Sequence, residues 1–103
     1  MLPGTLEMLV LKTLSRVSMH GYGIAQHIQQ TSDDILRVEE GSLYPALQRL
    51  LVQGFVKAEW KQSETKRRAR FYSITQAGRK QLGLERVNFE RLIGAIARVM
   101  ESA

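Results

Sequence analysis

A mainly α-helical fold with one small β-hairpin and a long final helix is predicted by three observations in this 103-residue sequence. Three apolar-periodic stretches, each bounded by glycine, serine, proline or aspartate, occupy the N-terminal half. A pair of segments with strand-like alternation follows, joined by a polar turn. The C-terminal stretch then repeats apolar residues at three- and four-residue spacing and contains no proline.

Each element carries its own signal. Pro3 suits the first turn of a first helix, because its missing N–H has no intrahelical partner there. Leu6, Leu9, Val10, Leu14 and Val17 share one face of this helix, and Met8 and Leu11 form a second. One apolar side enters the core, and the other needs a further cover, such as a partner subunit. Ser18 to Gly23 is a break in which His20 helps to fix the turn. A second helix runs from about Tyr22 to Thr31, with Ile24, Ala25 and Ile28 facing inward. The turn Thr31 to Asp34 follows, then Ile35, Leu36 and Val38, too short a run for a strand.

The third periodic stretch, Glu39 to Leu51, is the most constrained. Pro45 has no N–H and its ring crowds the carbonyl four residues back, so Gly41 is expected outside the helix and Pro45 within its first turn. Ser42 is then the expected cap, its hydroxyl accepting from the N–H of Tyr44, with Glu39 and Glu40 near the positive end of the helix dipole. Gly54 suits the stop. Leu43, Ala46, Leu47, Leu50 and Leu51 make the inner stripe and leave Tyr44, Pro45, Gln48 and Arg49 on an outer face that is small, polar and basic.

The two alternating segments, Val56 to Lys61 and Arg68 to Ile74, form a hairpin. Its tip, Ser63-Glu64-Thr65-Lys66-Arg67, lacks glycine, which predicts a loop of about four or five residues. From Lys57 to Arg70 there are six basic residues and two acidic ones, most of the formal net charge of +5. Thr75 caps the last helix, from about Gln76 to Ser102, and Gly78 and Gly83 weaken its early turns. Leu82, Phe89, Leu92, Ile93, Ile96, Val99 and Met100 form a stripe along it that outruns so small a domain and predicts a second chain against it.

The composition narrows the function. A charged fraction of 24% with basic excess describes an ordered domain facing a polyanion, nucleic acid more often than a membrane surface. With no cysteine there is no disulfide framework, thiolate metal site or thiol nucleophile. The N-terminal apolar run is broken by Glu7 and Lys12, so no signal peptide or membrane span is expected, and the cytoplasm is the expected compartment. His20 and His27 have no carboxylate arranged with them, no phosphate-cradling glycine loop exists, and neither a metal, a cofactor nor an enzyme is expected.

Three helices, a basic hairpin and a long final helix match a helix-turn-helix with a wing, in which the third helix enters the major groove of DNA. The residues also resemble a known family. Met19-His20-Gly21-Tyr22-Gly23-Ile24, Glu40-Gly41-Ser42-Leu43-Tyr44-Pro45-Ala46-Leu47 with Arg49-Leu50, Gly54-Phe55-Val56, Arg67 to Thr75 and Ala77-Gly78 are similar to the PadR family of bacterial transcriptional regulators. The resemblance spans about Leu6 to Leu82. It implies a winged-helix repressor that dimerises through its C-terminal helix, often with help from the first, and in many members is released from DNA by a small aromatic or drug-like effector. The single terminal helix is similar to the smaller subfamily.

The expectation is therefore a homodimeric repressor on a palindromic double-stranded operator. Residues 1–75 form the DNA-binding unit and 76–103 the dimerisation helix of one compact body. Ser42, Tyr44, Pro45, Gln48 and Arg49 are expected in the major groove, and Lys66, Arg67, Arg68 and Arg70 on phosphates. Met8, Leu11 and Phe89 are the residues expected around an effector. The competing reading is a winged-helix module for a protein or RNA partner.

Overall fold

The computed structural model describes residues 4–103, so the expected role of Pro3 lies outside the described residues. In chain order the elements are α1 (Thr5–Leu14), β1 (Met19–His20), α2 (Gly21–Thr31), α3 (Glu40–Val52), β2 (Val56–Gln62), β3 (Arg68–Ile74) and α4 (Gln76–Glu101). The helices of the N-terminal half pack around one core that includes Leu6, Val10, Leu11 and Leu14 of α1, Ile24 and Ile28 of α2, and Leu43, Ala46, Leu47 and Leu50 of α3. Val56 and Tyr72 close it from the sheet.

The amphipathic stripes of α2 and α3 fall where their periodicity puts them. The stripe of α1 does not: Leu11, expected on a second face, is completely buried in the core, while Val17 lies beyond the helix and is exposed. A helix wedged between α2, α3 and α4 buries a wider arc than one stripe predicts.

The start of α3 also departs from expectation. Glu39 is the N-cap, without a side-chain cap bond, and Gly41 and Ser42 are helical; Ser42 is therefore no cap. The N–H groups of Ser42 and Leu43 donate to the Glu39 carbonyl at 3.0 and 2.9 Å, and Pro45 sits inside the helix. The proline removes one backbone bond, but it does so where Gly41 is exposed and its carbonyl can turn to water, so the helix continues through it. The other end matches expectation. Gly54 adopts φ +78°, its N–H donates to the Leu51 carbonyl and that of Phe55 to the Leu50 carbonyl, the paired bonds of a Schellman stop.

The sheet has three antiparallel strands in the order β1-β3-β2. The sequence predicts the β2–β3 hairpin but not β1, whose two residues are too few to show a period. Met19 pairs with Tyr72 and His20 with Phe71. Gly21 to Gly23, expected within a turn, are instead the first turn of α2, capped by His20 as its Nδ1 accepts from the Gly23 N–H at 3.0 Å. At the hairpin tip Lys66 takes φ +63° and its N–H donates to the Ser63 carbonyl, a turn closed with no glycine.

Thr75 caps α4 as expected, accepting from the Gly78 N–H at 3.0 Å and donating to the Gly54 carbonyl at 2.7 Å. Gly78 does more than weaken the helix. A Cβ there would overlap the Phe55 carbonyl oxygen, so its bare backbone lets α4 press against the chain that leaves α3. Beyond that anchor α4 lies along α1 and then projects, giving a molecule 58 Å long and only 29 by 22 Å across.

Candidate nucleic-acid interface

The outer surface of α3 is set by its periodicity. Gly41, Tyr44, Pro45 and Gln48 share one exposed side, opposite the buried leucines. Tyr44 is held in place by its neighbour: its ring lies over Gly21, where any Cβ would stand 3.0 Å from the ring and the hydroxyl. Glycine at the start of α2 thus lets the tyrosine bridge the two helices while remaining 46% exposed. Ser42 is exposed on the flank of this surface.

Arg49 departs from its expected place. Its Nε donates to Oε1 of Glu7 at 2.9 Å and its Nη2 donates to the same oxygen, an ion pair across 42 positions of sequence. Glu7 is largely buried on α1. The guanidinium is thereby drawn toward α1, since Arg49 follows Gln48 by about 100° around the helix and the Glu7 carboxylate lies on that side.

The hairpin has two unlike faces. Register pairs Val56 with Ile74, Ala58 with Tyr72, Trp60 with Arg70 and Gln62 with Arg68. These residues continue the core side of the sheet outward, past the body, where the apolar pairs give way to arginines. Arg68 lies over the Trp60 ring at 6.0 Å and Arg70 over Tyr72 at 5.7 Å. On the opposite face Glu59 pairs with Lys61 at 3.1 Å, and Lys61 sits 5.6 Å from the Phe71 ring. The basic excess seen in the sequence is therefore not uniform: arginine lies on the side toward α2 and α3, while lysine on the far side is partly neutralised.

Between the wing and the helices lies a concave surface of about 850 Å³. Tyr22 and Tyr44 form one wall, and Trp60, Arg67, Arg68 and Arg70 the other. Of the expected contacts, Tyr44 of α3 and Arg67, Arg68 and Arg70 of the hairpin meet at this concavity, while Ser42, Pro45, Gln48 and Lys66 lie outside its lining. Tyr22, 66% exposed, and Trp60, 61% exposed, are absent from the sequence-derived set. Trp60 had a signal, since it has the same strand parity as buried Val56 and half-buried Ala58.

A second exposed surface runs along α4. Phe89, Leu92, Ile93 and Ile96 are each 39–48% exposed, and Val99 and Met100 more so. Leu82 is an exception, packing against its own domain core. Near the start of α1 an open groove of about 280 Å³ is lined by Met8, Glu85, Phe89 and Leu92. Met8 and Phe89 meet there as expected, but Leu11 does not reach it because it is committed to the core. Glu85 accepts from Gln81 at 3.1 Å through Oε1, whereas Oε2 is buried without a partner among the described residues. No cluster that could hold a metal ion occurs among the described residues, and no described helix is long and apolar enough to cross a membrane.

Comparison with known proteins decides the family. A model of the PadR-like transcriptional regulators matches residues 10–84, from the middle of α1 into α4. The chain belongs to the PadR-like family of transcriptional regulators. PadR proteins are regulators and not enzymes, and this one has their winged-helix fold and is a DNA-binding regulator. It is similar to a solved transcriptional regulator from Clostridium thermocellum, with 28% identity, TM-score 0.82 and 89% of each chain covered. It is also similar to a PadR family transcriptional regulator from Eggerthella lenta, with 29% identity and TM-score 0.81, covering 97% of this chain and 85% of that one. A 37.1 kDa protein of transposon Tn4556 from Streptomyces fradiae is 41% identical over 97 residues, which are 94% of this PadR chain but only 26% of that protein's length.

Proposed function

We propose that the protein is a homodimeric, sequence-specific repressor that acts in the cytoplasm by occupying a palindromic operator. The observation that carries this reading is the shared concavity, in which Tyr44 from the exposed side of α3 borders the arginine face of the hairpin. Ser42, Tyr44, Pro45 and Gln48 face the major groove, and Lys66, Arg67, Arg68 and Arg70 meet phosphates or a narrow minor groove. Gln48 is the first candidate for base readout, since its amide can pair with the N6 and N7 edge of adenine. Arg49, engaged by Glu7, has no base contact in this reading.

Two such units joined along the α4 stripe would present two α3 helices related by a two-fold axis, which is why the operator is expected to be palindromic. For an aromatic or drug-like effector, the groove of Met8, Phe89 and Leu92 is the candidate site, and the Glu85 oxygen that has no partner among the described residues favours a ligand that donates a hydrogen bond or carries positive charge. Occupancy there would act by shifting α1 against α4, provided the ligand binds the two arrangements unequally.

Selection of bound fragments from random duplex DNA tests the reading, and two variants of the chain then separate its parts. Gln48→Ala should cost about 1–3 kcal/mol on the selected operator and much less on unrelated duplex. Arg67→Ala should weaken both alike and lower the slope of log K against log salt by about 2 per dimer, at roughly 0.9 per lost phosphate contact. Failure to enrich any sequence, with stronger retention of RNA or protein, would replace the operator reading with that of a winged-helix adaptor.

A further inference from the structure

Trp60 is the only tryptophan in the chain, and it stands exposed on the arginine face of the wing. A large aromatic side chain with this much surface in water contributes little burial to the stability of the isolated domain, and Arg68 covers only part of it. Its cross-strand partner on the same face is Arg70, and its diagonal neighbour Arg68 holds its guanidinium over the indole. The cation lies over the ring, and the side chain lines the concavity bounded by Tyr22 and Tyr44. The opposite hairpin face, with Glu59 and Lys61 paired, offers a weaker field. A polyanion is therefore drawn to the side on which the indole lies.

Building on the DNA-binding reading above, we propose that Trp60 is itself a DNA-contacting residue, packing its indole against the deoxyribose–phosphate backbone beside the groove that Arg68 enters. The sugar ring presents apolar C–H surface and the phosphate an acceptor for the indole N–H, so one side chain satisfies both. This contact is independent of base identity and of charge. It differs in both respects from the contacts of Gln48 and of the arginines.

The single tryptophan makes the test direct. Acrylamide quenching of its fluorescence is measured in the wild-type protein, free and saturated with a duplex of about 30 base pairs, a length spanning two half-sites. Binding is followed separately by anisotropy of a labelled copy of that duplex. Protection should lower the quenching slope by about half or more, as expected when an indole passes from an exposed strand into a packed interface. Bound duplex with an unchanged quenching slope overturns the proposal and leaves the DNA-binding reading intact; no binding in the anisotropy arm overturns both. Trp60→Ala should weaken specific and random duplexes alike, by about tenfold for the dimer, with Trp60→Phe intermediate and the salt slope unchanged. A fall in that slope for Trp60→Ala, restored in Trp60→Phe, would mean that the ring acts by holding Arg68, and would overturn direct contact.

Discussion

Helices α3 and α4 carry apolar stripes of similar periodicity and end up in opposite circumstances. In α3 the stripe of Leu43, Ala46, Leu47 and Leu50 is buried within its own chain. In α4, twice as long at 26 residues, Gly78 is the one buried residue, and Phe89, Leu92, Ile93 and Ile96 remain half exposed. Amphipathicity therefore states that a face must be covered, not by what. For α3 the cover is α1 and α2; for the outer half of α4 no described element supplies one, and in the dimer proposed above a second copy would.

The contrast can be broken most severely from the α4 side. Ile96→Glu would place an unpaired carboxylate in an apolar seam twice per dimer, a cost on the order of several kcal/mol. Sedimentation should find a monomer with its helical circular dichroism largely retained; a variant still dimeric at micromolar concentration would show that the stripe is not the seam. Leu47→Ala should lose about 2–5 kcal/mol of folding stability in chemical denaturation, because the buried site cannot collapse around the missing atoms, while folded molecules still associate. A loss of association without loss of stability would reverse the roles assigned to the two helices.

Within α4 the two early glycines sharpen the comparison. Gly78→Ala should destabilise by about 1–3 kcal/mol, since the added methyl must displace backbone at Phe55. Gly83 has open space around its would-be Cβ, and Gly83→Ala should stabilise by about 0.5–1 kcal/mol through helix propensity alone. Thermal unfolding of both reads the sign directly. Equal effects would mean that α4 is not anchored at Phe55.

Much of the fold was legible because its signals are local. Hydrophobic period and turn chemistry located α2, the hairpin and α4, and Gly54 and Thr75 marked the boundaries that the structure uses. Local rules failed at the start of α3. Helix chemistry alone places a proline in the first turn, whereas an exposed Gly41 makes the missing bond tolerable one turn later. They failed also for β1, which is a strand only because β3 passes beside it.

The sequence by itself determined the helical and strand periods, the helix stops, the basic hairpin and the unpaired stripe of α4, since each depends on neighbours a few positions away or on summed charge. Only tertiary structure decided that Leu11 is core, that Arg49 turns to Glu7 across 42 positions, that Tyr44 rests on Gly21, and that the arginines and Trp60 share one face of the wing. Those outcomes depend on which surfaces meet when helices pack and strands register. Side-chain direction is a property of the contact and cannot be read from one segment alone.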